Sequence, residues 1–599
     1  MPMQNILSND KNVSIIAHGN HYGIIQSILD FDYLCCKNAP SIVAIISSIN
    51  KYYRYFWGEK EILIPVYKSL DLLPIKQIKQ ISAFINFSSS RRMFQTTIQI
   101  IEALPKLKIG TLLAEGMPEK DALELAKIAH DKNIIIFGPA SIGLLIPGII
   151  KLGPIGGTQH HQLITSRVFV RGKVTVLSAS GGMANEIINI LAQLKQPISM
   201  ALSFGGDRYP ITSPKEMLLY AQNDPATEYI VYYGELGGVD EYEMDELIKD
   251  KQVTKPVITY IAGSITQLFK KPFQFGHAKA IAQTKSETAK EKRLALKDAG
   301  AKVANSFEQF IDFLNKIPST SIKQVEQQRL INTEKMDNRT KSLFISTISK
   351  DDENGVKILG DNLSSFANNN SIARIVASLF LGRKKVSREF EQFVDIVLKL
   401  LVDHGPLVSG AVNSIITARA GKDLVSSLVA GLLTIGPRFG GVINDSAKNW
   451  FETVRDGVDP NTFVENYAKN HIPIPGIGHK RYNLYEPDPR VLMLAEFGDK
   501  LSKRTYYNFS KNVEAITTAK KSNLILNVDG TIGAIMLDIL IEKDKLSELD
   551  IKILVDSEFF NAFFILARSV GFIAHSLDQK RLDEGLFRLP NELNNYVEL

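Results

Sequence analysis

Cysteine is nearly absent: the chain has two in 599 residues, and they are neighbours, Cys35 and Cys36. That excludes a disulfide framework and any cysteine-based zinc site, and it fits a reducing cytoplasm. No apolar run reaches the roughly 18 residues a membrane-spanning helix needs. "SIGLLIPGIIKLG" is broken by Gly143, Pro147 and Gly148, and "NLILNVDGTIGAIMLDILI" carries Asp529 and Asp538. The opening "MPMQNILSNDKNVS" lacks a basic segment followed by an apolar one, so no signal peptide and no membrane association are expected. Charge of one sign is scarce as well. The balance of 70 basic and 64 acidic residues leaves a net +6, which permits anionic ligands but argues against nucleic acid. Internal repeats and low-complexity tracts are missing.

What is present divides by pattern. The first half alternates short β-branched runs, "NVSIIAH", "SIVAIISSI", "SAFINFS", "NIIIFG", "KVTVLS", "EYIVYYG" and "KPVITYIAG", with helical segments such as "ANEIINILAQLK". Strands apolar on both faces and separated by helices predict parallel α/β sheets. Two such domains are expected, residues 1–150 and 151–320. A polar, irregular stretch follows, and residues 321–350 read as a linker. From 351 to 599 the period becomes helical. In "SREFEQFVDIVLKLLVDHG", Phe390, Phe393, Val394, Val397, Leu398 and Leu401 form one stripe, with Ser387 as the expected N-cap. The fold class is therefore α/β followed by all-α.

Small residues mark a place for an anion. "VTVLSASGGMANEIINILAQL" reads as a strand, a turn and a helix, and Ser180, Gly181 and Gly182 leave room for a ligand at the helix N-terminus. The turn "AHGNHYGIIQ", with Gly19 and Gly23, is a weaker echo of a nucleotide-binding loop. "YYGELGG" ends another strand with Glu235, and "FGHAKA" sets His277 among small residues. These segments follow strands of one parallel sheet, whose C-terminal edge is where ligands collect. An imidazole nucleophile, a carboxylate to orient it and a helix N-terminus for a phosphoryl group make a phosphorylated His277 chemically sensible.

The helical part carries a second group. His404 and His479 lie in Gly/Pro-rich turns, and Asp529 sits inside an apolar run where an unpaired carboxylate is costly. Arg490 and Arg568 are scattered arginines of the same segments. Lys520 and Lys521 are either a solvated pair or a contact for phosphates.

"GPASIG", "SASGGM", "GGDRYP", "NDPATEYIVYYGELGG" and "FGHAKA" resemble the α subunit of succinyl-CoA synthetase, and more closely the matching part of the ATP-citrate lyase family. "LDFDYLCCKNAPSIVAI" resembles that family's CoA-binding domain, and the helical segments resemble the citrate synthase fold. The resemblance implies a Rossmann-like CoA-binding domain, a flavodoxin-like phosphohistidine domain and a helical citryl-CoA lyase domain. It makes His277 the phosphohistidine and Glu235 its partner, and Ser180 to Gly182 hold phosphate or citrate. His404 and His479 polarise substrate oxygens, Asp529 handles the proton at the acetyl carbon, and Arg490 and Arg568 hold carboxylates, with Phe439 beside them. Gly19, Gly23, Lys520 and Lys521 contact CoA, and no metal site is expected in this chain. The reaction implied joins citrate, ATP and CoA, giving oxaloacetate and acetyl-CoA through citryl phosphate and citryl-CoA. No ATP-grasp segment is found, so ATP and Mg2+ are assigned to a separate β subunit. The helical domain is expected to self-associate into a tetramer within a hetero-octamer, with Arg568 poised toward a neighbouring protomer. Departures are Ala179 for arginine in "SRSGG", Lys279 for glycine in "GHAGA", and "GHKR" with Lys480 and Arg481 for "GHR". Two alternatives stay open: an ATP-independent citryl-CoA lyase or citrate synthase with a degenerate synthetase half, and a non-catalytic CoA-binding scaffold.

Overall fold

The computed structural model describes residues 13–48, 51–263, 280–319, 336–353, 355–436 and 439–598. They divide into two compact units, Met1–Leu343 and Phe344–Leu599, and the division falls inside the expected linker.

The first unit holds two seven-stranded sheets. The strands of the first are β1 (Ser14–His18), β2 (Ile42–Ile46), β3 (Tyr52–Trp57), β4 (Lys60–Tyr67), β5 (Ile81–Asn86), β6 (Ile109–Leu112) and β7 (Ile135–Phe137). Their order is β3-β4-β2-β1-β5-β6-β7, parallel except for the β3–β4 hairpin. The second sheet is built on β10 (Val174–Ser178), β11 (Ile198–Ser203), β12 (Tyr229–Gly234) and β13 (Val257–Ile261). Every residue of β10 and β11 is buried, as both-face coverage by helices requires.

One boundary differs from the sequence reading. The expected boundary at residue 150 falls between two strands, β8 (Leu144–Ile146) and β9 (Ile150–Leu152), and β8 pairs antiparallel with both β9 and β11, so it belongs to the second sheet. Pro147 and Gly148, read as the end of a domain, form the turn of this hairpin, where Gly148 takes φ +76°. Both strands are fully buried and short, so local pattern alone does not reveal which sheet they join.

The second unit opens with a small antiparallel sheet, Ser349–Asp352, Gly355–Ile358 and Asp361–Asn362, which the all-helical expectation omitted. Helices follow. Arg388–Leu401 starts where its sequence says it should: the Ser387 side chain accepts from the Phe390 amide, and Phe390, Phe393, Val394, Val397 and Leu401 are buried. Two helices form the centre. Val528–Glu542 is buried almost all round. Phe559–Arg581 is long and apolar enough to cross a bilayer by length and composition alone. It packs Phe560, Phe563, Phe564 and Phe572 into the core and carries Arg568, itself buried.

Candidate functional site

Five sequence-predicted polar residues of the helical unit meet around one cavity of about 510 Å³: His404, His479, Arg490, Asp529 and Arg568. His404 follows the helix Arg388–Leu401, and His479 lies in the turn held by Asn527 Nδ2 donating to Gly478 O at 3.1 Å. Arg490 is in the first turn of the helix Pro489–Gly498, and Asp529 in the first turn of Val528–Glu542. Arg568 reaches in from the long helix, so it lines the cavity of its own chain rather than facing outward. Phe439 forms part of the wall, edge-on to Phe564 at 5.9 Å between centroids.

Hydrogen bonds fix the tautomers of both histidines. His479 Nδ1 accepts from the amides of Arg481 and Tyr482, both at 3.0 Å, which leaves its proton on Nε2. His404 Nδ1 faces Arg490 Nη1 at 3.2 Å, and because a guanidinium only donates, that histidine too carries its proton on Nε2. Burial and then the neighbouring Arg490 and Arg568 cations hold the His404 imidazole below its ordinary value. Burial likewise lowers His479, with Asp488 opposing and Arg490 and Arg481 assisting. Both rings are therefore neutral at pH 7. Asp529 moves the other way: burial pushes its carboxyl up to about 6, although Arg490 and Arg568 pull it down. Arg568 is only 3 % exposed, and its Nε and Nη1 have no hydrogen-bond partner among the described residues. A buried guanidinium with two idle donors beside a cavity is suited to an anion.

In the first unit, the Ser180–Gly182 turn and Glu235 leave adjacent parallel strands at the same edge, since Ser178 pairs with Tyr233 and the Ala179 amide donates to Tyr233 O at 2.9 Å. Ser180 stands at the N-cap position of the 13-residue helix Gly181–Gln193, and its side chain makes no capping hydrogen bond. A Cβ on Gly181 would stand 2.6 Å from Ile142 Cγ2, so glycine is needed there. Gly182 opens onto a second cavity of about 350 Å³. Ile261, the last residue of β13, pairs with Gly234 at that edge. His277 and Lys279 lie outside the described residues. On the first sheet, Gly19 turns with φ +88° and donates to Ile46 O at 2.9 Å, just before the helix Tyr22–Leu34 that contains Gly23. Lys520 and Lys521 are exposed at the end of the helix Thr505–Lys520 and do not line the 510 Å³ cavity, whereas Lys480 and Arg481 do.

Residues 357–589 match the family described as citrate synthase, C-terminal domain, and residues 177–302 match CoA-ligase. The chain is 37% identical to ATP-citrate synthase subunit 1 of Sordaria macrospora, over 98% of this chain and 88% of that one. It belongs to the ATP-citrate synthase family. ATP-citrate synthase beta chain protein 1 of Arabidopsis thaliana is 37% identical over 95% of both chains. The solved structure of ATP citrate lyase from Methanothrix soehngenii, in complex with citrate and coenzyme A, is 35% identical, with a TM-score of 0.52 over 99% of this chain and 98% of that one.

Three polar groups of this ATP-citrate synthase family member went unremarked in the sequence. Asp488, 1 % exposed, holds Arg490 and caps its helix. Its signal was available: an aspartate between two prolines, two residues before an arginine of interest. Asp403 Oδ1 stands 3.1 Å from His575 Nε2, joining the His404 turn to the long helix. Lys292 is fully buried, ion-paired with buried Glu241 at 2.7 Å, and donates to the carbonyls of Glu235 at 2.9 Å and Gly237 at 2.7 Å. It thereby fixes the backbone of the turn that presents Glu235. Nothing in "EKRLALK" distinguishes this lysine from its solvated neighbours.

Proposed function

We propose that this chain is an ATP-citrate synthase subunit that cleaves citryl-CoA in its helical unit and takes part in forming citryl-CoA in its α/β unit. The observation that carries the reading is Asp529. A carboxyl with pKa about 6 faces a cavity ringed by two arginines and two neutral histidines. Cleavage moves one proton from the tertiary hydroxyl of the citryl group to the carbon that becomes the acetyl methyl. A carboxylate poised near neutral pH both accepts and returns it. The Nε2–H groups of His404 and His479 donate to the oxygen that passes from alkoxide to the oxaloacetate carbonyl. Arg490 and Arg568 hold the substrate carboxylates.

For the synthetic half, the reading rests on the shared edge of Ser180–Gly182 and Glu235 and on the Gly19 turn. CoA binds at that turn, with Gly23 opening the helix N-terminus to its phosphates. Lys520 and Lys521, being solvent-exposed, meet CoA phosphates only from outside the cavity. His277 carries the phosphoryl group, with ATP and Mg2+ supplied by a separate ATP-grasp β subunit in the cytoplasm. Self-association, to a tetramer within a hetero-octamer, uses the helical unit. Val425, Val429 and Leu433 form a stripe there that is 70 %, 45 % and 81 % exposed.

The test feeds citryl-CoA to the purified chain without ATP. Acetyl-CoA and oxaloacetate should form, and ATP should not be consumed with citrate and CoA until the β subunit is added. A folded chain that leaves citryl-CoA intact refutes the lyase reading. With the β subunit and Mg-ATP the chain should gain an acid-labile, base-stable phosphate that His277→Ala abolishes.

A further inference from the structure

The first unit contains a cluster that neither chemistry uses. His160 and His161 open the short helix His160–Thr165, and their rings lie 4.2 Å apart between centroids. Both direct Nε2 at the same oxygen of Asp337, at 2.7 Å and 2.9 Å, from 177 and 176 positions away in sequence. The three ligand atoms lie within 4.8 Å of one another. Successive residues of a helix diverge by about 100° around its axis, so two adjacent side chains converging on one atom is a specific arrangement.

We infer that His160, His161 and Asp337 bind one divalent transition-metal ion of the zinc class. The donor set selects the ion. Two imidazoles and one carboxylate suit zinc and its borderline neighbours, whereas magnesium and calcium require shells built mainly from oxygen. The spacing is close to what such an ion needs. Tetrahedral bonds of roughly 2.05 Å set donors about 3.3 Å apart. The present 2.7 Å and 2.9 Å open to that value by a shift of about half an ångström, which a rotation of the 45 % exposed Asp337 side chain supplies. To ligate through Nε2, each neutral ring takes the tautomer that carries its proton on Nδ1, and any second proton on a ring is released to solvent.

Three protein donors leave a coordination position for water or an anionic oxygen. His161 also lines the 350 Å³ cavity that Gly182, at the N-terminus of the helix Gly181–Gln193, lines as well. The ion thus stands on the rim of a cavity that already offers helix N–H groups to an anion. It also anchors the segment from Asp337 to Arg339, which is held on its other side by Arg339 pairing with Asp30 at 2.6 Å.

The experiment uses the full chain, stripped with a chelator and titrated with Zn2+ by calorimetry. One saturable equivalent is expected. His161→Gln and Asp337→Asn should each weaken it at least about tenfold, and Co2+ in place of Zn2+ should give visible absorption that both substitutions remove. His161 is 60 % exposed, so both variants should melt cooperatively as the parent does, and melting is measured alongside. Absence of saturable binding overturns the site. Binding that is unchanged in both variants overturns it too, by placing the ion on other histidines. Displacement by millimolar Mg2+ would refute the ion class.

Discussion

Asp488 grips Arg490 at two points, Nη2 to Oδ2 at 2.7 Å and Nε to Oδ1 at 3.1 Å, while Nη1 of the same guanidinium meets His404 Nδ1 at 3.2 Å. One buried carboxylate therefore orients an arginine, and through it a histidine. Burial alone would raise the Asp488 carboxyl, but the hydrogen bonds and charge of Arg490 hold it below the ordinary range. Asp488→Asn should raise KM for citryl-CoA by roughly 10–100-fold, the worth of a charge-assisted hydrogen bond. Because asparagine still caps a helix, the melting temperature should change little. Steady-state kinetics and a thermal melt on the same preparation check both.

Arg568 gives the opposite balance of stability and function. Its guanidinium is buried with two unpartnered donors, stacked over Phe564 at 4.9 Å. Arg568→Met removes a desolvated cation and keeps most of the volume, so the protein should be at least as stable as the parent. Affinity for citryl-CoA should fall roughly 10²-fold or more. A variant that is both destabilised and active would contradict this assignment.

Asp529 sets the acidic limb of the reaction. The rate of citryl-CoA cleavage should rise with pH through about 6, as its carboxyl ionises. Burial shifts both histidines below their ordinary value, so they too lose charge on the acidic side and add no falling limb at alkaline pH. The same shift has a stability consequence. The folded state holds the Asp529 proton more tightly than the unfolded state, so stability declines as pH rises from the unfolded value of about 3.9 towards 6. At pH 7 the cost is up to about 3 kcal/mol, lessened by the solvent that reaches the carboxylate through the cavity. Asp529→Asn should therefore lower cleavage by roughly 10²–10⁴-fold while stabilising the fold at pH 7. Denaturant unfolding at pH 5 and pH 7 measures the difference directly.

Lys292 links packing to the proposed phosphoryl chemistry. Breaking its buried pair with Glu241 by Lys292→Met should cost about 3–5 kcal/mol. Adding Glu241→Leu removes the stranded charge and should restore most of that stability. Labelling at His277 should remain depressed in the double variant, because the Glu235 and Gly237 carbonyls have lost their donor. Recovery of stability and labelling together would reduce Lys292 to a purely structural role.

Assembly is testable on the helical unit alone. The fragment 344–599 is a compact unit and should behave as an oligomer in light scattering. Leu433→Asp places a charge in the most exposed position of the Val425–Val429–Leu433 stripe and should shift it towards a monomer.

The sequence by itself determined the features whose causes are local. β-branched runs became buried strands, the Ser387 cap and its apolar stripe became a helix, and an aspartate in an apolar run proved to be a carboxylate beside a cavity. Such features depend on periodicity, capping and the cost of burying charge, all of which operate over a few residues. Only the tertiary structure decided the rest. It carried β8 across the expected boundary at 150 into the second sheet, because a three-residue apolar strand carries no record of its partner. It drew His160 and His161 onto Asp337, and buried Lys292 against Glu241. It left Lys520 and Lys521 in solvent while turning Lys480 and Arg481 towards the cavity. Protonation was settled at the same level. The value near 6 at Asp529 results from desolvation opposed by Arg490 and Arg568, residues 39 positions to either side in the chain, whose fields act through space and not along the sequence.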